Sequence, residues 1–255
     1  MGHRGAAGVL PENTLASFQA ALDAGADVLE MDVHGTRDGH VVVFHDATLD
    51  RTTDGSGEVR ALTLDELRRL DAAARFAPAA GHAALPFDGP LRVPTFDEVL
   101  AAFPGARLNV EIKQAEPAIE ELVLAALDRH GARGRVLLAA ENAIIMRRIR
   151  AAAPEVLTGM SAEDVYGFLT SLDDPAYRAP GFALQVPVRF GDMPIVTPQT
   201  VARAHALGME VHVWTVDDPA EMEELLAMGV DGLITNVPHV AAEVVARRRG
   251  VSPRS

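Results

Sequence analysis

The 255-residue chain has no cysteine, one tryptophan, two tyrosines and, among 23 basic residues, a single lysine, Lys113. Without cysteine there is no disulfide, no thiolate nucleophile and no thiolate-ligated metal. No run of about 18 apolar residues marks a membrane-spanning helix, and no basic-then-apolar leader opens the chain. A cytoplasmic location without stable membrane insertion is therefore expected. Positive charge is scarce as well: the formal net charge is −13, which argues against nucleic acid or an anionic membrane as a partner held by bulk electrostatics. An anionic small molecule would need positive charge gathered locally. That places weight on the few cations that lie near chemistry.

What the chain does have is alternation. Apolar strand-like runs and helical stripes recur to its end, with no low-complexity segment and no charge run longer than Arg247 to Arg249. The length suits one α/β barrel domain over residues 1–255. The densest chemistry lies between Leu29 and Asp46, LEMDVHGTRDGHVVVFHD. Runs at 28–33 and 40–44 flank Asp38-Gly39, a strong hairpin signal. Alternation puts Glu30 and Asp32 on one face and Leu29, Met31 and Val33 on the other. If the connecting loop holds an even number of residues, His45 joins the carboxylates on their face.

A second alternating run, LNVEIK, sets Asn109, Glu111 and Lys113 on one side. Two neighbouring carboxylates repel unless a cation compensates them. Glu30, Asp32 and Glu111 make an all-oxygen donor set, which suits Mg2+ or Ca2+ better than a soft metal. Neutralisation by Arg4 and Lys113 alone would leave one carboxylate over.

Helix signals are read at Leu15, Phe18 and Leu22, with Asn13 as N-cap and Gly25 as the end. A Thr63/Glu66 capping box opens a short helix. From about 47 to 94 the periodicity breaks, and residues 77–94 are rich in Ala, Pro and Gly, as expected of a small insertion. Strands are expected near residues 136–140, 157–161, 182–186, 210–216 and 232–236. With those at His3, Val28 and Leu108 they make eight parallel members of a (β/α)8 TIM barrel, the run at 40–44 being an extra hairpin arm.

The segments His3-Arg4-Gly5, Pro11-Glu12-Asn13-Thr14, Glu30-Met31-Asp32-Val33, Thr36-x-Asp38-Gly39, His45-Asp46 and Arg51-Thr52-Thr53 with Gly55 and Gly57 resemble the glycerophosphodiester phosphodiesterase family in order and spacing. The resemblance continues through Glu111-Ile112-Lys113, Trp214-Thr215-Val216 and Gly232-Leu233-Ile234-Thr235. It implies hydrolysis of a small-molecule glycerophosphodiester to glycerol 3-phosphate and an alcohol. It implies His3 and His45 as general acid and base, in either order, and a divalent cation on Glu30, Asp32 and Glu111. Arg4 and Lys113 would bind phosphoryl oxygens, and Trp214 would pack on the glycerol moiety. Two rivals are a sphingomyelinase D-like phospholipase, which predicts cysteines near the second histidine, and a non-catalytic phosphodiester-binding barrel.

Only Met1 and Gly2 precede His3, so most of the first barrel strand is expected to be missing and its neighbours' edges exposed. Asp217 and Asn236 stand where the family pattern often has Asn and Asp, and neither is expected to touch the catalytic set. Gln185 and Asn236 are expected to cap loops or to meet substrate hydroxyls. Arg51 is expected either to contact phosphate or to anchor Asp50 or Asp54.

Overall fold

The computed structural model of the chain describes residues 1–251. Strands β1 (Val28–Gly35), β2 (Val41–Val43), β3 (Arg107–Ile112), β4 (Val136–Ala139) and β5 (Leu157–Thr158) form one sheet in the order β2-β1-β3-β4-β5. Strand β6 (Ala183–Pro187) leads into a short hairpin, β7 (Arg189–Phe190) and β8 (Met193–Pro194). Strands β9 (Glu210–Trp214) and β10 (Gly232–Leu233) then complete a second sheet in the order β10-β9-β6. All pairings within the two sheets are parallel except that of β1 with β2. Single bridges join the sheets. Gly159 pairs with Ala183 at the β5–β6 seam, and Gly2 pairs with both Leu29 and Thr235 at the seam between β1 and β10. The pairings therefore run round a ring of eight parallel members, with Gly2 in the place of the first strand.

That first position is as short as the sequence suggests, yet the ring is closed where it matters for the site. Gly2 donates to the Val28 carbonyl at 3.0 Å and accepts from the Glu30 N–H at 2.9 Å, and His3 N–H reaches the Thr235 carbonyl at 2.8 Å. The neighbouring edges are thus bridged at this level. Below it lies a groove of about 610 Å³ lined by Val28, Leu233 and Ala242, among others.

Helices α1 (Leu15–Asp23), α2 (Leu64–Leu67), α3 (Phe96–Ala102), α4 (Glu120–Arg129), α5 (Ala143–Ala152), α6 (Ala162–Thr170), α7 (Pro198–Ala206), α8 (Pro219–Met228) and α9 (Pro238–Arg249) accompany the strands. The expected capping box at Thr63/Glu66 is present, and Thr95/Glu98 makes another. At α1 the cap is Thr14, whose side chain accepts from Ser17 N–H. Asn13 is drawn off that role, because its amide donates to Asp32.

The apolar face of β1 and β3, with Leu29, Met31, Val33, Leu108, Val110 and Ile112, is buried against Phe18, Phe96, Leu127 and Ile149 from the surrounding helices. A separate cluster of Val42, Phe44, Leu49, Val59, Leu64, Leu67, Ala72 and Val93 gives the 47–94 insertion its own small core. The extended strap in this insertion rests on the loop that follows His3, through Ala79 N–H to the Gly8 carbonyl and Leu85 N–H to the Val9 carbonyl.

One expectation of register is corrected. Gly35 lies opposite Val41, so the β1–β2 connection has five residues, 36–40, an odd number. Continued alternation would set His45 opposite Met31, off the carboxylate face. The loop takes this length because Thr36 and His40 bond each other at its base while Asp38 caps the Leu64 N–H at the start of α2. His45 lies beyond β2, and the bend there sets its position.

The β5–β6 seam depends on a close backbone approach. A Cβ placed on Gly181 would stand 2.5 Å from the Gly159 carbonyl oxygen. Backbone on both sides leaves nothing flexible to yield, so Gly181→Ala is expected to lower unfolding stability by about 1–3 kcal/mol. Urea denaturation measures this, and an unchanged midpoint would contradict it.

Candidate active site

The pairing of β1 with β3 sets Glu30 beside Asn109 and Asp32 beside Glu111. Glu30 and Asp32 are buried and Glu111 is partly so. One oxygen from each of Glu30, Asp32 and Glu111 lies within 4.8 Å of the others. Lys113 follows β3 and reaches back, its Nζ 2.8 Å from Glu111 Oε2 and 3.2 Å from Asp32 Oδ1. Arg4 supplies its backbone N–H to Glu30 Oε2 at 2.7 Å and its guanidinium to Glu12 at 2.9 Å. Its Nε lies 3.3 Å from Asp32 Oδ2 without an aligned hydrogen bond. Asn13 donates to the same Asp32 oxygen at 3.1 Å.

Among the described residues, Arg4 and Asn13 are the non-glycine residues with positive φ, at 49° and 56°. Such a conformation costs about 1–3 kcal/mol for a residue with a side chain. Both sit at the carboxylates, and Asn13 N–H bonds the Arg4 carbonyl at 2.9 Å. The turn aims one backbone N–H and two side chains at Glu30 and Asp32.

Positive charge falls short of the negative charge it faces. Burial, then the neighbouring Asp32, hold the Glu30 carboxyl well above the usual carboxylate range, and the Arg4 N–H only partly opposes them. Burial also pulls the Lys113 ammonium down, but Asp32 and Glu111 outweigh it and the net shift is upward. Three carboxylates share two cations, and Arg4 is divided between them and Glu12. The donors are all oxygen, and the side chain of Glu30 has only a backbone N–H as its hydrogen-bond partner. This set fits a hard divalent cation.

The two histidines are held by different partners. His3 Nδ1 lies 2.7 Å from Asn236 Oδ1. Burial and then Arg4 lower its pKa, against smaller opposing effects of Asn236, Asp32 and Glu12. His45 Nδ1 lies 2.6 Å from Asp46 Oδ1. Arg51 then bonds Asp46 through Nε at 2.5 Å and Glu12 through both terminal nitrogens at 2.7 and 2.8 Å. For Asp46 and for Glu12 burial alone would raise the pKa, but Arg51 prevails and both carboxyls sit below their ordinary values. Arg51 thus anchors neither Asp50 nor Asp54. From the His45–Asp46 hydrogen bond an unbroken chain of ion pairs runs through Arg51, Glu12 and Arg4 to Asp32.

The structure therefore gathers Arg4, Glu30, Asp32, Glu111 and Lys113 and ties His45 to them through charged neighbours. Trp214 takes no part in this ionic chain. It ends β9 opposite Pro187 and is 44% exposed, so it is not a core residue. His212, on the same face, is buried between Gln185 and Glu210. Gln185 thus meets a side chain inside the barrel. Asn236 corrects another expectation, since it contacts His3 directly and is itself held by Asp217. Glu12 and Asp46 were marked in the sequence only as parts of motifs, and Asn13 and Arg51 with other partners; packing of loops distant in sequence gives these residues the contacts they make.

The residues at 3–240 match the model of the glycerophosphoryl diester phosphodiesterase family. The chain is 34% identical over 254 residues to a glycerophosphodiester phosphodiesterase of Caldanaerobacter subterraneus subsp. tengcongensis, covering 96% of each protein. A crystal structure of a putative glycerophosphoryl diester phosphodiesterase from Silicibacter pomeroyi superposes with a TM-score of 0.81 at 28% identity, over 99% of this chain and 94% of that one. An Oleispira antarctica phosphodiesterase, solved in complex with the product sn-glycerol-3-phosphate, shares the fold with a TM-score of 0.76 at 24% identity, over 96% and 95% of the two chains. With the family's motifs spread over a matching barrel, the chain belongs to the glycerophosphoryl diester phosphodiesterase family.

Proposed function

We propose that this protein hydrolyses a glycerophosphodiester to glycerol 3-phosphate and an alcohol, with a divalent cation, Mg2+ or Ca2+, held by Glu30, Asp32 and Glu111. The observation that carries this reading is the three-carboxylate cluster, two of its members buried, facing too little fixed positive charge. When bound, the cation supplies electrostatic stabilisation to the phosphoryl oxygens. Lys113 and Arg4, already at the cluster's rim, bind the non-bridging oxygens, Arg4 through its planar guanidinium. His3 and His45 come from different segments and act as the acid and base for nucleophile and leaving group. Asp46 orients the His45 imidazole through Nδ1 and leaves its other nitrogen to the substrate.

Trp214 offers an exposed ring for the glycerol moiety. The hairpin leaving β6 directly after Pro187, the partner of Trp214, also exposes Phe190 and Met193. These apolar side chains favour a second reading of the leaving alcohol, as one that carries an acyl chain. Comparing glycerophosphocholine with its lysophospholipid counterpart separates the two.

Release of glycerol 3-phosphate from glycerophosphocholine is expected with Mg2+ or Ca2+ and not with EDTA, and equal release in EDTA would contradict the metal's part. His45→Ala is expected to keep the wild-type unfolding midpoint while turnover falls by about 10²–10⁴-fold; a wild-type rate would remove His45 from the mechanism. Glu30→Gln keeps an acceptor for the Arg4 N–H and removes a buried charge. In EDTA its melting temperature should equal or exceed the wild type, and the rise in melting temperature produced by divalent cation should disappear. A variant that still gains the full rise would exclude Glu30 as a ligand.

A further inference from the structure

We propose that Asp217 and Asn236 form a positioning relay that fixes the His3 imidazole in its Nδ1–H tautomer, leaving Nε2 unprotonated and facing the substrate as the base. This rests on the acid–base role given to His3 above and divides the two histidines' tasks.

The direction of each bond follows from the partners. Asn236 Nδ2 lies 2.7 Å from Asp217 Oδ2, and its Oδ1 lies 2.7 Å from His3 Nδ1. The other Asp217 oxygen receives the Asn236 backbone N–H at 2.8 Å and the Thr235 hydroxyl at 2.8 Å. The Thr235 hydroxyl hydrogen is committed there, since its oxygen accepts the Val237 N–H at 3.1 Å. Every group around Asp217 is thus a donor, which suits a carboxylate. The Asn236 atom that faces Asp217 must then be the NH2, and the atom that faces His3 must be the carbonyl oxygen. An oxygen at that place requires a hydrogen on His3 Nδ1. The backbone at Asn236 is held as well, its carbonyl accepting the Gly8 N–H at 2.8 Å.

A neutral amide next to His3 holds the ring without adding a charge. The charged groups that act on this imidazole are Arg4, from the turn, Asp32, from β1, and Glu12, from the loop that precedes α1. Asp217 acts through Asn236 and neither residue is assigned contact with substrate, so both are positioning residues.

Asp217→Asn removes the constraint. An amide at 217 lets Asn236 turn its NH2 toward His3 and so favour the Nε2–H tautomer. The paired exchange Asp217→Asn with Asn236→Asp again sets an oxygen against His3 Nδ1. The ¹⁵N spectrum of histidine-labelled protein, recorded above the imidazole's titration range, reads the tautomer directly. Wild type and the paired exchange are expected to carry the hydrogen on Nδ1, and Asp217→Asn to shift toward Nε2. Its kcat is expected to fall at least about tenfold with KM little changed, and the paired exchange to regain most of it.

A wild-type spectrum with the hydrogen on Nε2 overturns the proposal even if no variant folds. So does an Asp217→Asn variant with wild-type tautomer and kcat, or a paired exchange no better than the single one. His3→Ala separates this from the reading it rests on: an active His3→Ala variant defeats the role of His3 itself. An inactive one beside an unaffected Asp217→Asn defeats only the relay.

Discussion

Crowding three carboxylates, two of them buried, into one small space is costly, and the site is arranged around that constraint. Glu30 and Asp32 are fixed by strand alternation on β1, and Glu111 is brought alongside by the parallel register with β3. None of the three can move to the other face without breaking the sheet that forms the barrel wall. The chain answers with Lys113 and Arg4, its single lysine and the arginine of a turn in the left-handed region. These leave Glu30 with a backbone N–H as its only side-chain hydrogen-bond partner and an upward-shifted pKa. Stored repulsion of this kind is what a hard cation would relieve, and it supports the metal site proposed for the cluster.

The two histidines differ in how their environments treat charge. His45 is hydrogen-bonded to a carboxylate, Asp46, which is itself clamped by Arg51. His3 is partly buried and meets a neutral amide. Burial and the nearby Arg4 disfavour an imidazolium at His3. The settings of the two rings are unlike, which supports the separate tasks proposed for them. The strap of the insertion is tied by its backbone to Gly8 and Val9, in the loop that leaves the turn carrying Arg4.

Much of this was legible in the chain because strand alternation is local. Glu30, Asp32, Glu111 and Lys113 sit where a period of two places them, and the ring of parallel strands follows from the recurrence of apolar runs. The placement of His45 was not legible, since the bonds of Thr36 and Asp38 set the loop at an odd five residues and the bend beyond β2 then sets where the imidazole lies. Asn13 looked like a helix cap because Asn often is one; Asp32, 19 residues away in sequence, competes for its amide and Thr14 caps instead. Asp217 and Asn236 looked peripheral because their partner, His3, lies at the other end of the chain. Ring closure brings them together, and no local pattern reports it.

The most direct test of the account is the position of a divalent ion in a crystal grown with Ca2+ or Mn2+, located by its anomalous scattering. The account predicts a single strong peak bonded to oxygens of Glu30, Asp32 and Glu111, at about 2.3–2.6 Å for Ca2+. An empty cluster with Lys113 and Arg4 still seated on the carboxylates, in a crystal that binds the ion elsewhere, would contradict it.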